Sequence, residues 1–389
     1  MKACLPRSEF WLFVKIINVT GINSRFIWLD IFGLRINFLH SLMRQNSTAR
    51  FDVITVGTAT ADIVVKTKEF KQAWAKAGRS RGDWLCFPLG AKVEIEDYLV
   101  SSGGGATNTA VAFARLGLKT GSVFEIGKDP LGRMVCQELE KEKIKLFLSL
   151  NKTLATASSV ILVSPSGERT VLVHRGAAND LQLKEIPLKS LNTKWAYLAP
   201  GGIETKTIHQ LIDFCKRHKI KVALNPSRHL IEAKKDIAQI LPEVDVLLLN
   251  TEEASYLTGL PYAKEKQIFQ KLDELVKGIL VVTNGPKGLK VSDGNFIWTA
   301  GVYKNKKVVD RLGAGDAFGS GFVAGLIKTR EGCEKGVCAT KNIEYAIRLG
   351  SANATSMVES LGAKTGILTK REFQSSSRWR KLNIKVKKI

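Results

Sequence analysis

A chain of 389 residues with 44% hydrophobic content is long enough for one large α/β domain or two ordinary ones, which excludes a disordered or fibrous protein. Its 6 cysteines form no Cys-x-x-Cys pair and its 5 histidines show no ligand spacing, so neither a disulfide scaffold nor a zinc module is expected. The net charge of +23 is spread along the chain, without the aromatic interleaving or helix-turn-helix spacing of a specific nucleic-acid reader, and is better suited to drawing small anions into a cleft.

The first fifty residues stand apart. Phe10 to Ile22 and Phe26 to Leu42 are apolar and aromatic, but Lys15, Arg25, Asp30 and Arg35 interrupt any window long enough to cross a bilayer. No small-residue cleavage site follows. The stretch reads as an extension: sequence ahead of an internal start at Met43, a docking segment, or an amphipathic membrane-surface segment. With no span, a cytoplasmic protein is expected.

From Phe51 the pattern becomes regular. FDVITVGTATADIVV predicts a strand over Asp52 to Val56, then Gly57, then a second β-like run containing Asp62. A carboxylate just past a buried strand is placed to bind substrate hydroxyls, or is simply an exposed strand-end acid. Residues 84–101, with Lys92 to Glu96 in polar/apolar alternation, and 156–173, with a turn at Ser164 to Gly167, predict one small sheet. It would close over a sugar-sized ligand, or stay as a fixed edge. Between them, Gly103-Gly104-Gly105 precede a helix and let backbone approach a ligand, while Asn108 suits a diol. The spacing is neither a dinucleotide fingerprint nor a P-loop.

The second half alternates strands and helices. Strands at Trp195 to Leu198, Lys221 to Leu224, Val244 to Leu249 and Gly278 to Thr283 are nearly all apolar, as in a parallel sheet covered on both faces. Polar residues gather at their carboxyl ends. Asn250 and Glu253 fit magnesium, directly or through water, and equally fit a helix cap. Thr283, Gly285 and Gly288 would admit nucleotide phosphates, or make a plain turn. In VDRLGAGDAFGSGFVAG, Val308-Val309 reads as a strand, Gly313-Ala314-Gly315 as a turn, and Ala317 to Ile327 as a packed helix. Asp316 in its first turn would take a hydroxyl proton beside N–H groups that hold a phosphoryl oxygen; an ordinary helix cap is the alternative.

GGGATN at 103–108 and DRLGAGDAFGSGFVAG at 310–325 resemble the two signatures of the ribokinase-like, or PfkB, family of carbohydrate kinases, in the right order, over about Phe51 to Leu368. The resemblance implies a three-layer α/β/α core with a mainly parallel central sheet and a small β-sheet lid. It divides the chain into the extension at 1–50, a core at 51–370 with lid segments near 62–102 and 155–178, and a basic tail at 371–389. It implies an ATP- and Mg²⁺-dependent kinase in which Asp316 is the base and Gly313, Ala314 and Gly315 form the anion hole. Asp62, Gly103, Gly104 and Asn108 would hold the sugar, with Glu168 reaching it from the lid turn. Asn225, Thr283, Gly285, Gly288 and Asn353 would hold the nucleotide, Asn250 and Glu253 the magnesium, and Asp310 a monovalent cation such as K⁺. Some relatives pair through the lid, so a homodimer through an exposed strand of the small sheet is a further arrangement the resemblance implies. Thr60 stands where ribokinases usually have asparagine, so the sugar is open: fructose, another sugar or a nucleoside. A nucleoside kinase of the same family is the alternative enzyme, and a catalytically inactive sugar-sensing protein the non-enzyme one.

Overall fold

The structure, a computed structural model, describes residues 50–77, 80–164, 169–329 and 337–389. Glu168, Cys4, Cys333 and the first forty-nine residues lie outside them. In chain order the first strands are β1 (Phe51–Gly57), β2 (Thr60–Lys66), β3 (Lys71–Ala77), β4 (Ser80–Cys86), β5 (Asp97–Gly103), β6 (Thr120–Gly127), β7 (Lys145–Asn151), β8 (Ser158–Val163) and β9 (Arg169–His174). The rest are β10 (Thr193–Ala199), β11 (Lys221–Leu224), β12 (Val246–Asn250), β13 (Ile279–Thr283), β14 (Leu289–Ser292), β15 (Phe296–Ala300) and β16 (Ile384–Lys388). The helices are α1 (Gly105–Arg115), α2 (Pro130–Lys141), α3 (Thr205–Arg217), α4 (Arg228–Glu232), α5 (Lys234–Ile240), α6 (Thr251–Thr258), α7 (Glu265–Leu275), α8 (Ala314–Thr329), α9 (Val337–Val358) and α10 (Lys370–Ser375).

Ten strands make the main sheet, in the order β16-β15-β14-β13-β12-β11-β10-β1-β6-β7. From β7 to β13 every pairing is parallel, and β14, β15 and β16 add on antiparallel. Alternate residues of the central strands feed opposite cores. Ala196, Leu198, Leu247 and Leu249 pack with Ile208, Leu211 and Ile268 of α3 and α7. Trp195, Tyr197, Val246 and Leu248 pack with Phe322, Val323 and Ala346 of α8 and α9. Burial on both faces is why these strands read as unbroken apolar runs. The result is helices on either side of a mostly parallel sheet, a three-layer α/β/α core whose parallel strands end along one rim.

The small sheet has the order β5-β2-β8-β9. It therefore contains the second run after Gly57 as well as the two expected patches, and a separate two-stranded ladder, β3 with β4, takes residues 84–86. Lys92 to Glu96 are not a strand, contrary to their alternation. The β2–β5 ladder runs from Thr60 opposite Gly103 to Lys66 opposite Asp97; beyond it only isolated bonds follow, from Glu96 N to Lys66 O at 3.0 Å and from Thr67 Oγ1 to Glu94 O at 2.7 Å, which make no ladder. Val308 and Val309 are likewise not a strand; both are more than 40% exposed, and the N–H groups of Val309 and Asp310 both go to Val358 O, at 2.7 and 3.2 Å. The basic segment at 371–389 is not a loose tail. β16 pairs with β15 over five positions, while Trp379 is buried against Tyr303 and Leu368, so the core runs on to its end. Cys86, Cys136 and Cys215 are free thiols. Among the described residues, no helix is long and apolar enough to cross a membrane.

Candidate active site

The chain enters α8 through Gly313, whose φ of 73° suits a residue without a Cβ. A side chain there would also press on Ala363, 2.9 Å from its carbonyl oxygen. The N–H of Ala317 bonds back to Gly313 O at 2.8 Å, whereas that of Ala314 reaches Arg311 O only at 3.4 Å. The N–H groups of the first turn, those of Gly315 and Asp316 included, thus lie at the positive end of a sixteen-residue helix.

That helix end faces the rim of the parallel sheet across a cleft of about 250 Å³. Asn225 follows β11, Asn250 ends β12 and Thr283 ends β13; all three line the cleft with Glu253 of α6 and the turn from Arg311 through Asp316. Asn250 and Glu253 form a capping box. Asn250 Oδ1 accepts from the Glu253 N–H and Glu253 Oε2 from the Asn250 N–H, each at 2.8 Å. The cap reading is the one seen; it uses one carboxylate oxygen and holds the group at the cleft wall. Burial raises the Glu253 pKa, against the backbone bond from Asn250, and the charges of Glu252 and Asp316 push it the same way.

Asp62, Gly103, Gly104 and Asn108 are not among the cleft-lining residues but reach the same turn through Asn108. Asp62 on β2 is buried and accepts from Thr60 Oγ1 at 3.0 Å. Burial raises its pKa, opposed by the Thr60 and Ser159 hydroxyls and by Lys364. Gly103 leaves the space that the Asp62 carboxylate fills, because a Cβ there would stand 2.5 Å from Asp62 Cγ. Gly104 caps α1, its carbonyl accepting from the Asn108 N–H at 3.0 Å. One turn into α1, Asn108 donates from Nδ2 to Asp316 Oδ2 at 2.9 Å, which ties α1 to the cleft-lining turn. Asp316 is partly open to the cleft, and desolvation raises its pKa while the Asn108 bond and the Lys364 charge lower it.

Several expected residues fall elsewhere. Asn353 is fully buried: Nδ2 donates to Ala317 O at 2.8 Å and Oδ1 accepts from Leu368 N at 3.0 Å. Both polar ends tie α9 to α8 and to the following loop, and the residue does not line the cleft, which corrects the adenine-side expectation. Gly285 and Gly288 shape the turn between β13 and antiparallel β14, with Asn284 N bonded to Gly288 O at 2.7 Å, and they are not among the cleft-lining residues. Asp310 is committed to other partners. It pairs with Arg169 of β9, and its oxygens accept from Leu312 N at 2.9 Å and Gly362 N at 3.1 Å, so both oxygens are engaged by protein groups. Two residues were not anticipated. Arg311 lines the cleft, and Lys364 is buried between Ser102 and Thr107; a single lysine in a glycine-containing loop carries no periodic signal that would mark it.

Two carboxylates, Glu253 and Asp316, with neutral amide and hydroxyl groups, an arginine and a helix N-terminus make a lining whose chemistry could hold a polyphosphate with magnesium. Among the described residues, no group of three or more His, Cys, Asp or Glu side chains is disposed to hold a metal.

A doubly covered parallel sheet, a small β-sheet beside its carboxyl rim and a helix N-terminus between them define the ribokinase-like α/β/α fold. The solved structure of ribokinase from Giardia lamblia matches it with a TM-score of 0.69, covering 84% of this chain and 98% of that one at 20% identity. The family model described as pfkB family carbohydrate kinase matches residues 76–370, and the chain belongs to that family. The ATP-dependent 6-phosphofructokinase of Thermoanaerobacterium thermosaccharolyticum is 28% identical over 258 residues, 63% of this chain and 79% of the relative. The ribokinase of Haemophilus influenzae is 28% identical over 284 residues, 71% and 87% respectively.

Proposed function

We propose that the chain transfers the γ-phosphoryl group of ATP to a hydroxyl of a small sugar, with Asp316 as the proton acceptor. The observation that carries this reading is the Asn108–Asp316 hydrogen bond of 2.9 Å, which ties the residues assigned to the sugar to a carboxylate at a helix N-terminus. Asp62, Gly103, Gly104 and Asn108 make the acceptor side. Asn225 and Thr283, beside the turn from Gly313 to Gly315, make the nucleotide side. Glu253 and Asn250 would hold magnesium, directly or through water, and the ion would neutralise phosphate charge.

The acceptor oxygen attacks the γ-phosphorus, forming one P–O bond as the bond to the β-phosphate oxygen breaks. Its proton passes to Asp316 and ADP leaves. Charge building on the phosphoryl oxygens meets the first-turn N–H groups of α8. Because that transition state is loose, position and field supply most of the acceleration, and a carboxylate whose pKa is raised by burial is an adequate base. Leu172 and Val173, more than half exposed on the edge strand β9, support pairing of two copies through the small sheet, readable by light scattering.

The test is ADP release from magnesium ATP against a panel of pentoses, hexoses, sugar phosphates and nucleosides, with product mass as confirmation. A phosphorylated sugar supports the proposal, and a phosphorylated nucleoside alone replaces the acceptor class. ATP binding without transfer to any member of the panel overturns it in favour of a sugar-sensing role.

A further inference from the structure

Lys364 lies in the loop after α9 and is 5% exposed. The loop is clamped from beneath: Arg115 of α1 donates through Nη1 to Lys364 O at 2.7 Å and through Nη2 to Glu142 Oε1 at 2.7 Å. Inside, the ammonium donates to the carbonyl oxygen of Ser102, to Ser102 Oγ at 2.6 Å and to Thr107 Oγ1 at 3.1 Å. All three protons go to neutral oxygens. A buried ammonium held this way is costly unless charge is wanted nearby, since a neutral side chain would fill the space without the loss of hydration.

The two residues that hold it are the immediate neighbours of the site. Ser102 lies between Ser101, which is opposite Asp62 in the β2–β5 ladder, and Gly103, whose missing side chain makes room for the Asp62 carboxylate. Thr107 donates to Gly103 O at 2.6 Å and precedes Asn108, which holds Asp316. Three acids act on the ammonium from three elements, Glu138 of α2, Asp62 of β2 and Asp316 of α8, with Arg115 the opposing cation. Glu138 Oε2 is itself taken up by the Ser102 N–H at 2.6 Å. Asp316 in turn faces Asn108, Lys364, the buried Tyr197 hydroxyl and Glu253.

We propose that Lys364 is a positioning residue for phosphoryl transfer: its ammonium, fixed by Ser102 and Thr107 between the elements that carry Asp62 and Asp316, lets both acids stay ionised around one acceptor. Such a role rests on the kinase reading above, but its electrostatic content does not need turnover. The signs agree with the geometry. Lys364 works against the burial that raises both acids; burial brings the lysine itself down to about 8, while Glu138, Asp62 and Asp316 hold it up.

The test is carboxyl ¹³C NMR of the full chain across pH, with the Asp316 resonance assigned through Asp316→Asn, alongside the pH profile of kcat/KM. In the wild type the Asp316 signal is expected to show a second inflection near the lysine's titration, at about 8. In Lys364→Met that inflection is lost and the main carboxyl titration moves to higher pH, because an opposite charge has gone. The acidic limb of kcat/KM should follow, with activity at its acid end falling about tenfold, and Lys364→Arg should hold the wild-type profile. A folded Lys364→Met with an unchanged Asp316 titration overturns the assignment. Should that variant not fold, a wild-type signal lacking the second inflection overturns it equally. Absence of kinase activity with the NMR pattern intact would reject the proposed function and leave the charge coupling standing.

Discussion

Gly103→Ala puts one methyl group against Asp62, and the structure sets the size of the effect. The new Cβ would stand 2.5 Å from Asp62 Cγ and 2.7 Å from Thr60 Oγ1, where ordinary contact begins at 3.4 Å. Neither strand can retreat freely, since β2 and β5 are bonded from Thr60–Gly103 to Lys66–Asp97. Asp62 must therefore rotate and give up its 3.0 Å bond from Thr60. Overpacking of this kind costs about 1–3 kcal/mol of stability. Losing one charge-assisted bond to an acceptor hydroxyl removes ~1.5–3 kcal/mol of binding, roughly ten- to hundredfold in acceptor KM. The assay is coupled ADP release with acceptor and ATP varied separately, beside a thermal melt. Acceptor KM should rise and the melting temperature fall, with KM for ATP little changed. An alanine variant with wild-type acceptor KM and wild-type melting would show that Asp62 does not occupy that space in the working enzyme.

Asp316→Asn should fold and bind ATP while its turnover drops by roughly 10²–10⁴-fold, the span of a positioned proton acceptor; stopped assays at saturating substrate showing near-wild-type kcat would remove Asp316 from the chemistry. Glu125 on β6, bonded to Asn151 at 3.0 Å, is raised by burial from 4.5 to about 7. A pKa raised on folding contributes stability that is full below the unfolded value and is lost as pH climbs through the folded one. Thermal melts at pH 5 and pH 8 should therefore show the wild type losing ground to Glu125→Gln at the higher pH, and parallel behaviour of the two proteins would contradict the burial argument. Removing residues 1–42 should leave turnover unchanged, since the first core strand starts at Phe51; an insoluble or inactive truncated chain would refute this.

What the sequence shows and hides follows from which forces are local. β10 to β13 were legible because burial on both faces leaves an apolar run, and the polar residues just beyond, Asn225, Asn250 and Thr283, line the cleft as their positions suggested. The turn into α8 was legible from its glycines. The alternation at Lys92 to Glu96 misled because a strand needs a continuous ladder as well as a pattern, and the ladder with β2 ends at Lys66 opposite Asp97. Val308-Val309 misled in the same way: no strand formed where the N–H groups of Val309 and Asp310 converge on the one carbonyl of Val358. Asn353 could be placed on a helix but not inside it, since whether an amide faces a ligand or clasps its neighbours depends on how closely α8 and α9 approach. Lys364 was invisible for a related reason, as its value comes mostly from Ser102, Thr107, Asp62 and Glu138, each more than two hundred positions away.

The pairing of Arg169 with Asp310 has a mechanical side. Arg169 belongs to the outermost strand of the small sheet, and Asp310 begins the bend that delivers the chain to α8 while pinning Leu312 and Gly362. Any swing of β9 must either snap this tie or drag the bend along with it. The outer edge of the small sheet and the approach to α8 are thus yoked by an ion pair, so that a change at one end is felt at the other.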